Sequence, residues 1–406
     1  MELRYLTASL PGTGGRIKGT PEDFVVEEVP AYDPCGEGDH LFVRIEKRGM
    51  STFDAIRKMA RELRVPEESI GYAGLKDKAA VTRQTVSLER VEEENVRALA
   101  IEGLRVLETA RHRHRLRVGH LAGNAFDVVV RDVPERSIGD AERVLAELME
   151  KGVPNYYDRQ RFGLLRNSHL LGRAIVLGDA GLFQRHILGE SAVRDERFER
   201  ALALHREGDH VGASRALPGL FAVEKRYLAM LGRRGDPARA MRMIPRKKLQ
   251  FFVSAYQSFL FNQVLSRRVD TIDRLLPGDL AGFATGGKVF LVEDPAAETE
   301  RLTSFEVSPT GPIYGFRMPA PSGEPARMEE EVLAAEGITP DSFRLRGGLA
   351  CRGVRRPLRF QILDARFQRT EDGFRLGFRL RKGCYATMVL REILKPGDAL
   401  PLVEGD

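Results

Sequence analysis

From Leu41 to Glu46 the chain alternates, with Leu41, Val43 and Ile45 set against Phe42, Arg44 and Glu46, and that period of two predicts a half-buried strand. The period then lengthens. Ala55, Ile56, Met59, Ala60 and Leu63 recur at helical spacing behind a capping-box-like Ser51-Thr52-Phe53-Asp54, and Pro66 ends the helix. Strand-like Ile70 to Ala73 and Val81 to Leu88 flank the segment Gly74-Leu75-Lys76-Asp77-Lys78, so Asp77 is expected on a turn or loop projecting from a sheet. Arg111, Arg113, Arg115 and Arg117 recur at every second residue and would share one face if that segment is extended. Asp140 is read as opening a further helix, with Val144, Leu145, Leu148 and Met149 as its buried stripe and Gly152 and Pro154 closing it.

Beyond about residue 170 the texture changes to charged, helix-prone segments, a long amphipathic run around QFFVSAYQSFLFNQVLSRR, and Gly- and Pro-rich connections from Pro309 to Pro325. The aromatic stripe Phe252, Tyr256, Phe259 and Leu260 reads as a packing face. Near the end, Phe374, Leu376, Phe378 and Leu380 alternate with Arg375, Gly377, Arg379 and Arg381 behind a Glu371-Asp372-Gly373 turn, the pattern of a hairpin strand with a basic outer face. Lys382 to Leu394 then turns into a helix. Mixed strand and helix at both ends with a helix-containing middle predicts an α+β core, residues 1–170 and 355–406, interrupted by an inserted domain, residues 171–354.

Size and composition narrow this little further. The 406 residues suit two domains, and 42% hydrophobic with 30% charged residues suits folded cores. Lys and Arg number 64 against 58 Asp and Glu, a net charge of +6 whose placement matters more than its size. Cys35, Cys351 and Cys384 are far apart and follow no CxxC spacing, which argues for reduced thiols rather than disulfides or zinc. With no signal-peptide-like start and no apolar run of spanning length, the expected location is the cytoplasm, away from membranes.

Familiar catalytic signatures are missing. There is no G-x-x-x-x-G-K-[ST] loop, no HExxH and no G-x-S-x-G, and in PGTGGRIKG the third glycine of a dinucleotide fingerprint is Ile17. The pairs His112 with His114 and His205 with His210 lack companion ligands and read as charged surface histidines, so no metal and no cofactor are expected. Asp77 between Lys76 and Lys78 reads on composition alone as a solvated turn, since charge clusters at strand ends are usually surface; with support from elsewhere it would be a carboxylate held ionised by its neighbours for work at the anomeric carbon of a sugar. The arginine run and the cluster Arg352, Arg355, Arg356 and Arg359 are either solvated faces or contacts to a nucleic-acid backbone. Phe24, Tyr156, Tyr157, Phe162 and Tyr385, all near basic stretches, are either core or platforms for unpaired bases.

Four stretches taken together, IKGTPEDFVVEE (17–28), AGLKDKAAVTRQ (73–84), PNYYDRQRFG (154–163) and GCYATMVLREIL (383–394), resemble the TruD family of transfer RNA pseudouridine synthases. ARHRHRLRVGHLAGNAF resembles the family's stretch at the same place in the order. The resemblance implies a pseudouridine synthase core with a mixed, largely antiparallel sheet flanked by helices, an inserted α+β domain, and transfer RNA lying across the two with its target uridine flipped out. It implies isomerisation of uridine to pseudouridine, most characteristically at position 13, without a cofactor or an obligatory protein partner. In that setting Asp77 resembles the nucleophile, Lys18 an active-site lysine able to pair with it, and Phe24, Asn155 and Tyr385 positions around the target base. Lys76 and Lys78 become tuners of Asp77 or phosphate contacts, and Gln160 and Arg161 substrate-binding candidates.

Two departures bear on roles. Bacterial members read N-Y-F-G where this chain has Asn155-Tyr156-Tyr157-Asp158, and phenylalanine where it has Tyr385. The extra phenol makes Tyr157 a candidate for removing the C5 proton or binding water. The long stretch after Gly163 resembles the archaeal and eukaryotic branch, implying a wider range of RNA sites. An RNA-binding or chaperone protein of the same fold without catalysis, and a glycosidase-like enzyme using Asp77 to release free uracil, are the competing readings.

Overall fold

The computed structural model describes residues 3–189 and 195–395. Among the described residues the chain forms two units, one of Tyr5–Val153 with residues 360–395, the other of Pro154–Arg359 with Leu3 and Arg4.

In the first unit eight strands make one mixed sheet. They are β1 (Phe24–Pro30), β2 (His40–Arg48), β3 (Gly71–Tyr72), β4 (Val81–Glu89), β5 (Leu104–His112), β6 (Leu121–Arg131), β7 (Leu363–Thr370) and β8 (Gly373–Arg381). The order is β7-β8-β6-β1-β4-β2-β5 with β3 beside β4; β1 and β4 run parallel and the other pairings are antiparallel. Lys47, Thr82, Val26, Phe126 and Phe378 are successive register partners across β2, β4, β1, β6 and β8, so these five side chains form one row on one face.

Helix α1 (Thr52–Leu63) covers one end of that face, packing Ala55, Ile56 and Met59 on Leu41, Val43, Ile45, Val86 and Leu88. Its start is as the sequence predicts: the Ser51 hydroxyl accepts the Asp54 amide, and Arg64 closes it in a left-handed conformation. At the other end α2 (Glu135–Lys151) packs against α3 (Ala386–Leu394) and meets β8. Between the apolar ends the face turns polar, at Lys47, Thr82, Gln84 and Glu28, all buried.

Two local expectations need correction. Helix α2 begins at Glu135, behind Pro134, rather than at Asp140; Ile138 and Ala141 lengthen the buried stripe, and Met149, placed in that stripe from sequence, is 45% exposed. The arginine run does not share a face, because β5 ends at His112. Arg113 then pairs with Glu37, and Arg115 donates to the carbonyls of Glu68 and Ile70. The last hairpin forms as predicted, with Phe374, Leu376, Phe378 and Leu380 buried and Arg375 and Arg379 paired outside with Asp127 and Asp364.

The second unit is built on the helix Arg246–Arg268, which the sequence marks by its aromatic stripe; Phe252, Tyr256 and Leu260 are buried. Helix Ser168–Leu177 packs on it through Gly172, where a Cβ would stand 2.0 Å from the Phe252 carbonyl oxygen, so no larger residue fits this crossing. A four-stranded sheet completes the unit, in the order Val354–Pro357, Val307–Ile313, Leu280–Phe283, Val289–Leu291. His205 and His210 are not charged surface histidines: their Nδ1 atoms lie 3.1 Å apart and burial pushes both below the ordinary histidine range. The units divide at 153/154 and 359/360, so NYYDRQRFG belongs to the insert and not, as its place before residue 170 suggested, to the core. Residues 396–406, the end of the expected last core segment, lie outside the described residues.

Within the insert Arg268 and Asp279 form a bidentate pair, at 2.7 and 3.0 Å, with side chains 3% and 1% exposed. Removing one charge strands the other in the interior. Arg268→Met is expected to cost about 3–5 kcal/mol, read as a shift of the urea unfolding transition.

Candidate active site

Asp77 sits on the loop between β3 and β4, as the flanking strand patterns predict. The strand β3 that leads into the loop starts at Gly71, where a Cβ would lie 2.4 Å from both the Leu116 carbonyl and the Ser87 hydroxyl; only glycine lets β3 come this close. Underneath, Lys47 is fully buried and its ammonium donates to the carbonyls of Met50, Lys76 (3.1 Å) and Asp77 (2.8 Å). The Thr52 hydroxyl, at the first turn of α1, accepts the Lys76 amide at 2.9 Å and donates to Gln84 Oε1 at 3.1 Å. A cation and a helix start thus fix the loop's backbone from below.

Two ion pairs then set its side chains. Lys18 Nζ donates to Asp77 Oδ2, both side chains nearly buried, and Asp77 Oδ1 accepts the Ala79 amide at 2.9 Å. Lys18 holds a left-handed backbone (φ 58°), a conformation costing of order 1 kcal/mol that persists because the surroundings impose it. Its ammonium lies 4.6 Å from the centre of the Phe24 ring, and burial lowers it below the ordinary lysine value, an effect the Asp77 hydrogen bond and charge partly offset. Phe24 is itself 4% exposed, edge-on to Phe126, which stacks on Phe378 at 5.2 Å. It is a wall of the site whose ring carries Lys18.

Lys76 differs from expectation. Its ammonium turns inward to Glu28 Oε2 at 2.6 Å, with side chains 4% and 3% exposed, so it neither flanks Asp77 nor faces solvent where a phosphate would be. The cation beside Asp77 is Lys18. Lys78 is exposed, with its charge felt by Asp54 at the start of α1. Tyr385, 37% exposed, immediately precedes α3.

The remaining candidates lie in the insert. Asn155 is buried and occupied with its own unit: its amide donates to the Leu358 carbonyl and its Nδ2 to the Pro357 carbonyl, each at 2.8 Å, while Oδ1 accepts from Arg356. Tyr157 exchanges two backbone hydrogen bonds with the Asn262 side chain, at 2.9 and 2.8 Å. Its ring lies 4.4 Å from the Arg356 guanidinium and 5.7 Å from that of Arg161, which donates to Ser254 and Ser258. Gln160 is exposed on the short turn Arg159–Phe162. Tyr156 (1% exposed) and Phe162 (8%) are core residues and offer no face to a base. Of the arginine cluster, Arg355 is paired with buried Glu329, and Arg359 is buried against the Leu302 carbonyl and the Phe305 ring. Burial lowers the Arg359 guanidinium to about 10. These are structural cations, not open phosphate contacts.

Residues that the sequence motifs did not single out carry much of this geometry, Lys47, Thr52, Gln84 and Glu28 above all. One signal was present. Lys47 continues the inward phase of Leu41, Val43 and Ile45, Glu28 that of Phe24 and Val26, and Gln84 that of Val86 and Leu88. A polar residue in an apolar phase is buried by register and must find partners. Three polar atoms on this face, Thr82 Oγ1, Gln84 Nε2 and Asn124 Oδ1, are buried without a hydrogen-bond partner.

The tRNA pseudouridine synthase D (TruD) family profile matches residues 1–393. The chain belongs to the TruD family. A tRNA pseudouridine synthase D of Geobacter metallireducens is 48% identical over 398 residues, covering 98% of each chain, and that of Geobacter sulfurreducens is 46% identical with the same coverage. Among solved structures, a TruD protein of Methanosarcina mazei superposes with a TM-score of 0.84 at 27% identity, over 97% of this chain and 96% of that one. The bacterial TruD relatives match along nearly the whole chain, the stretch after Gly163 included, which does not support placing it with the archaeal and eukaryotic branch.

In this TruD chain the Glu28–Lys76 pair lies directly beneath the loop that carries Asp77. Glu28→Gln leaves a buried ammonium without its counter-charge and is expected to cost about 3–5 kcal/mol in chemical denaturation. Adding Lys76→Met to Glu28→Gln is expected to return most of that loss.

Proposed function

We propose that this chain isomerises uridine to pseudouridine in transfer RNA, at position 13, with Asp77 as the nucleophile. The observation that carries the reading is the ion pair of Lys18 with Asp77 on a loop whose backbone is fixed by Lys47 and Thr52. A carboxylate so held is suited to a sugar carbon, because its approach needs no rearrangement of the loop. Asp77 attacks C1′ as the N1–C1′ bond breaks, uracil turns within the site, C5 displaces the carboxylate at C1′, and the proton lost from C5 is balanced by one gained at N1. Atoms and electrons are conserved, so the reaction consumes no oxidant, reductant or nucleotide. Lys18 keeps a positive charge beside Asp77 when the carboxylate is released. Tyr157 is the candidate acceptor of the C5 proton, and exposed Lys78 a candidate phosphate contact. Flipping the uridine costs a few kcal/mol, roughly, in lost stacking.

Tritium release from transfer RNA transcripts labelled at uridine C5 tests this. The wild-type protein is expected to release tritium and leave pseudouridine at position 13, and Asp77→Asn to fall to background while binding RNA as before. Tritium release by Asp77→Asn at the wild-type rate would remove the nucleophile assignment. Free uracil in place of pseudouridine would favour a nucleosidase, and RNA binding with no turnover of any transcript would favour the binding-protein reading.

A further inference from the structure

The proposed reaction poses a problem that Asp77 does not solve. Once N1–C1′ is broken, uracil is no longer attached, yet it must stay and present C5 where N1 had been. A half-turn about the axis through N3 and C6 does this. It exchanges N1 with C5 and, at the same time, O2 with O4. A hydrogen-bond donor fixed opposite one carbonyl therefore meets a carbonyl again after the turn, and holds the ring in both orientations.

Gln84 supplies such a donor. It is 1% exposed, and its Nε2 has no hydrogen-bond partner although it is buried. Leaving an amide N–H so unmet costs roughly 1–3 kcal/mol, so an acceptor brought to Nε2 by a bound base would be favoured. Its orientation is set by its other end. Oε1 accepts from the Thr52 hydroxyl at 3.1 Å, and the Thr52 oxygen in turn accepts the amide of Lys76, the residue next to Asp77, at 2.9 Å. With the Lys76 amide already on the Thr52 oxygen, the Thr52 hydroxyl hydrogen points to Gln84 Oε1; turning the amide over would make the Thr52 oxygen accept twice and take Oε1 away from that hydrogen, so the arrangement with Nε2 as donor uses both sides of the hydroxyl. The same relay ties its position to the loop that carries the carboxylate.

We propose that Gln84 is a specificity-determining residue that donates to a uracil carbonyl before and after the turn, with Thr52 as the positioning residue that fixes its polarity. This rests on the uridine reading above. Cytosine is rejected on the same grounds: its 4-amino group, a donor, would face Gln84 in one of the two orientations.

The test uses single-turnover rates on transcripts carrying uridine, 2-thiouridine or 4-thiouridine at the target, sulfur being the weaker acceptor. With wild-type protein each thio substitution is expected to slow isomerisation. Gln84→Met is expected to slow uridine by on the order of tenfold or more, the loss of one hydrogen bond in a dry site, with RNA affinity unchanged. In Gln84→Met both thio penalties should largely vanish, and the coupling at both positions is the signature of a ring that turns. Should Gln84→Met fail to fold, Gln84→Asn, which withdraws the donor by one methylene, carries the same comparison. Equal thio penalties in wild type and variant would overturn the proposal while leaving the uridine reading intact. A wild-type protein inactive on every transcript would overturn that reading, and this inference with it.

Discussion

A buried ammonium group organises the centre of the first unit. Lys47 is placed by strand register on the inner face of the sheet, where an isolated charge would cost several kcal/mol, roughly. It is tolerated there because the carbonyls of Met50, Lys76 and Asp77 converge on it. The constraint runs both ways. The loop carrying Asp77 must keep its carbonyls turned down onto Lys47, and that leaves its side chains to point elsewhere: Lys76 inward to Glu28, Asp77 across to Lys18. Charge-assisted hydrogen bonds of this kind are among the stronger ones available to a fold, about 1.5–3 kcal/mol each.

The rest of the site follows from the same economy of partners. Thr52 serves at once as the first residue of α1, an acceptor for the loop and a donor to Gln84. Phe24 continues the hydrophobic face and carries the ammonium of Lys18. In the insert, Asn155 and Asn262 do comparable work, spending their amides on neighbouring backbone and thereby fixing where Tyr157 and Arg356 stand. A site assembled from residues with two duties each tolerates little substitution, because any change alters a neighbour's orientation as well as its own contact.

Period and capping made much of the fold legible from sequence. The α1 start at Ser51, the β2 alternation, the last hairpin and the Arg246–Arg268 helix all follow from local rules that tertiary contacts reinforce. What failed was of a different kind. The arginine run has strand spacing, but the chain leaves the sheet at His112, and spacing cannot report where pairing stops. Asp140 is a plausible helix start, but Glu135 behind Pro134 is an earlier one that also buries Ile138. Lys76 lies next to Asp77 in sequence and yet points away from it, since neighbouring loop residues need not share a side. Buried partners such as Glu28 and Lys47 lie far off in the chain, and only register brings them under the loop.

Lys47 holds the backbone of the loop that carries Asp77, the nucleophile proposed above, and the single-turnover isomerisation rate of Lys47→Met, measured beside its RNA affinity and thermal midpoint, tests what that hold contributes. A folded Lys47→Met protein should bind RNA as the wild type does and react on the order of 10²-fold more slowly, the penalty of a reacting group displaced by about an ångström. Lys47→Arg, which keeps the charge and several donors, should recover part of that rate. A folded Lys47→Met protein reacting at the wild-type rate would mean that the loop holds Asp77 in place without the cation beneath it.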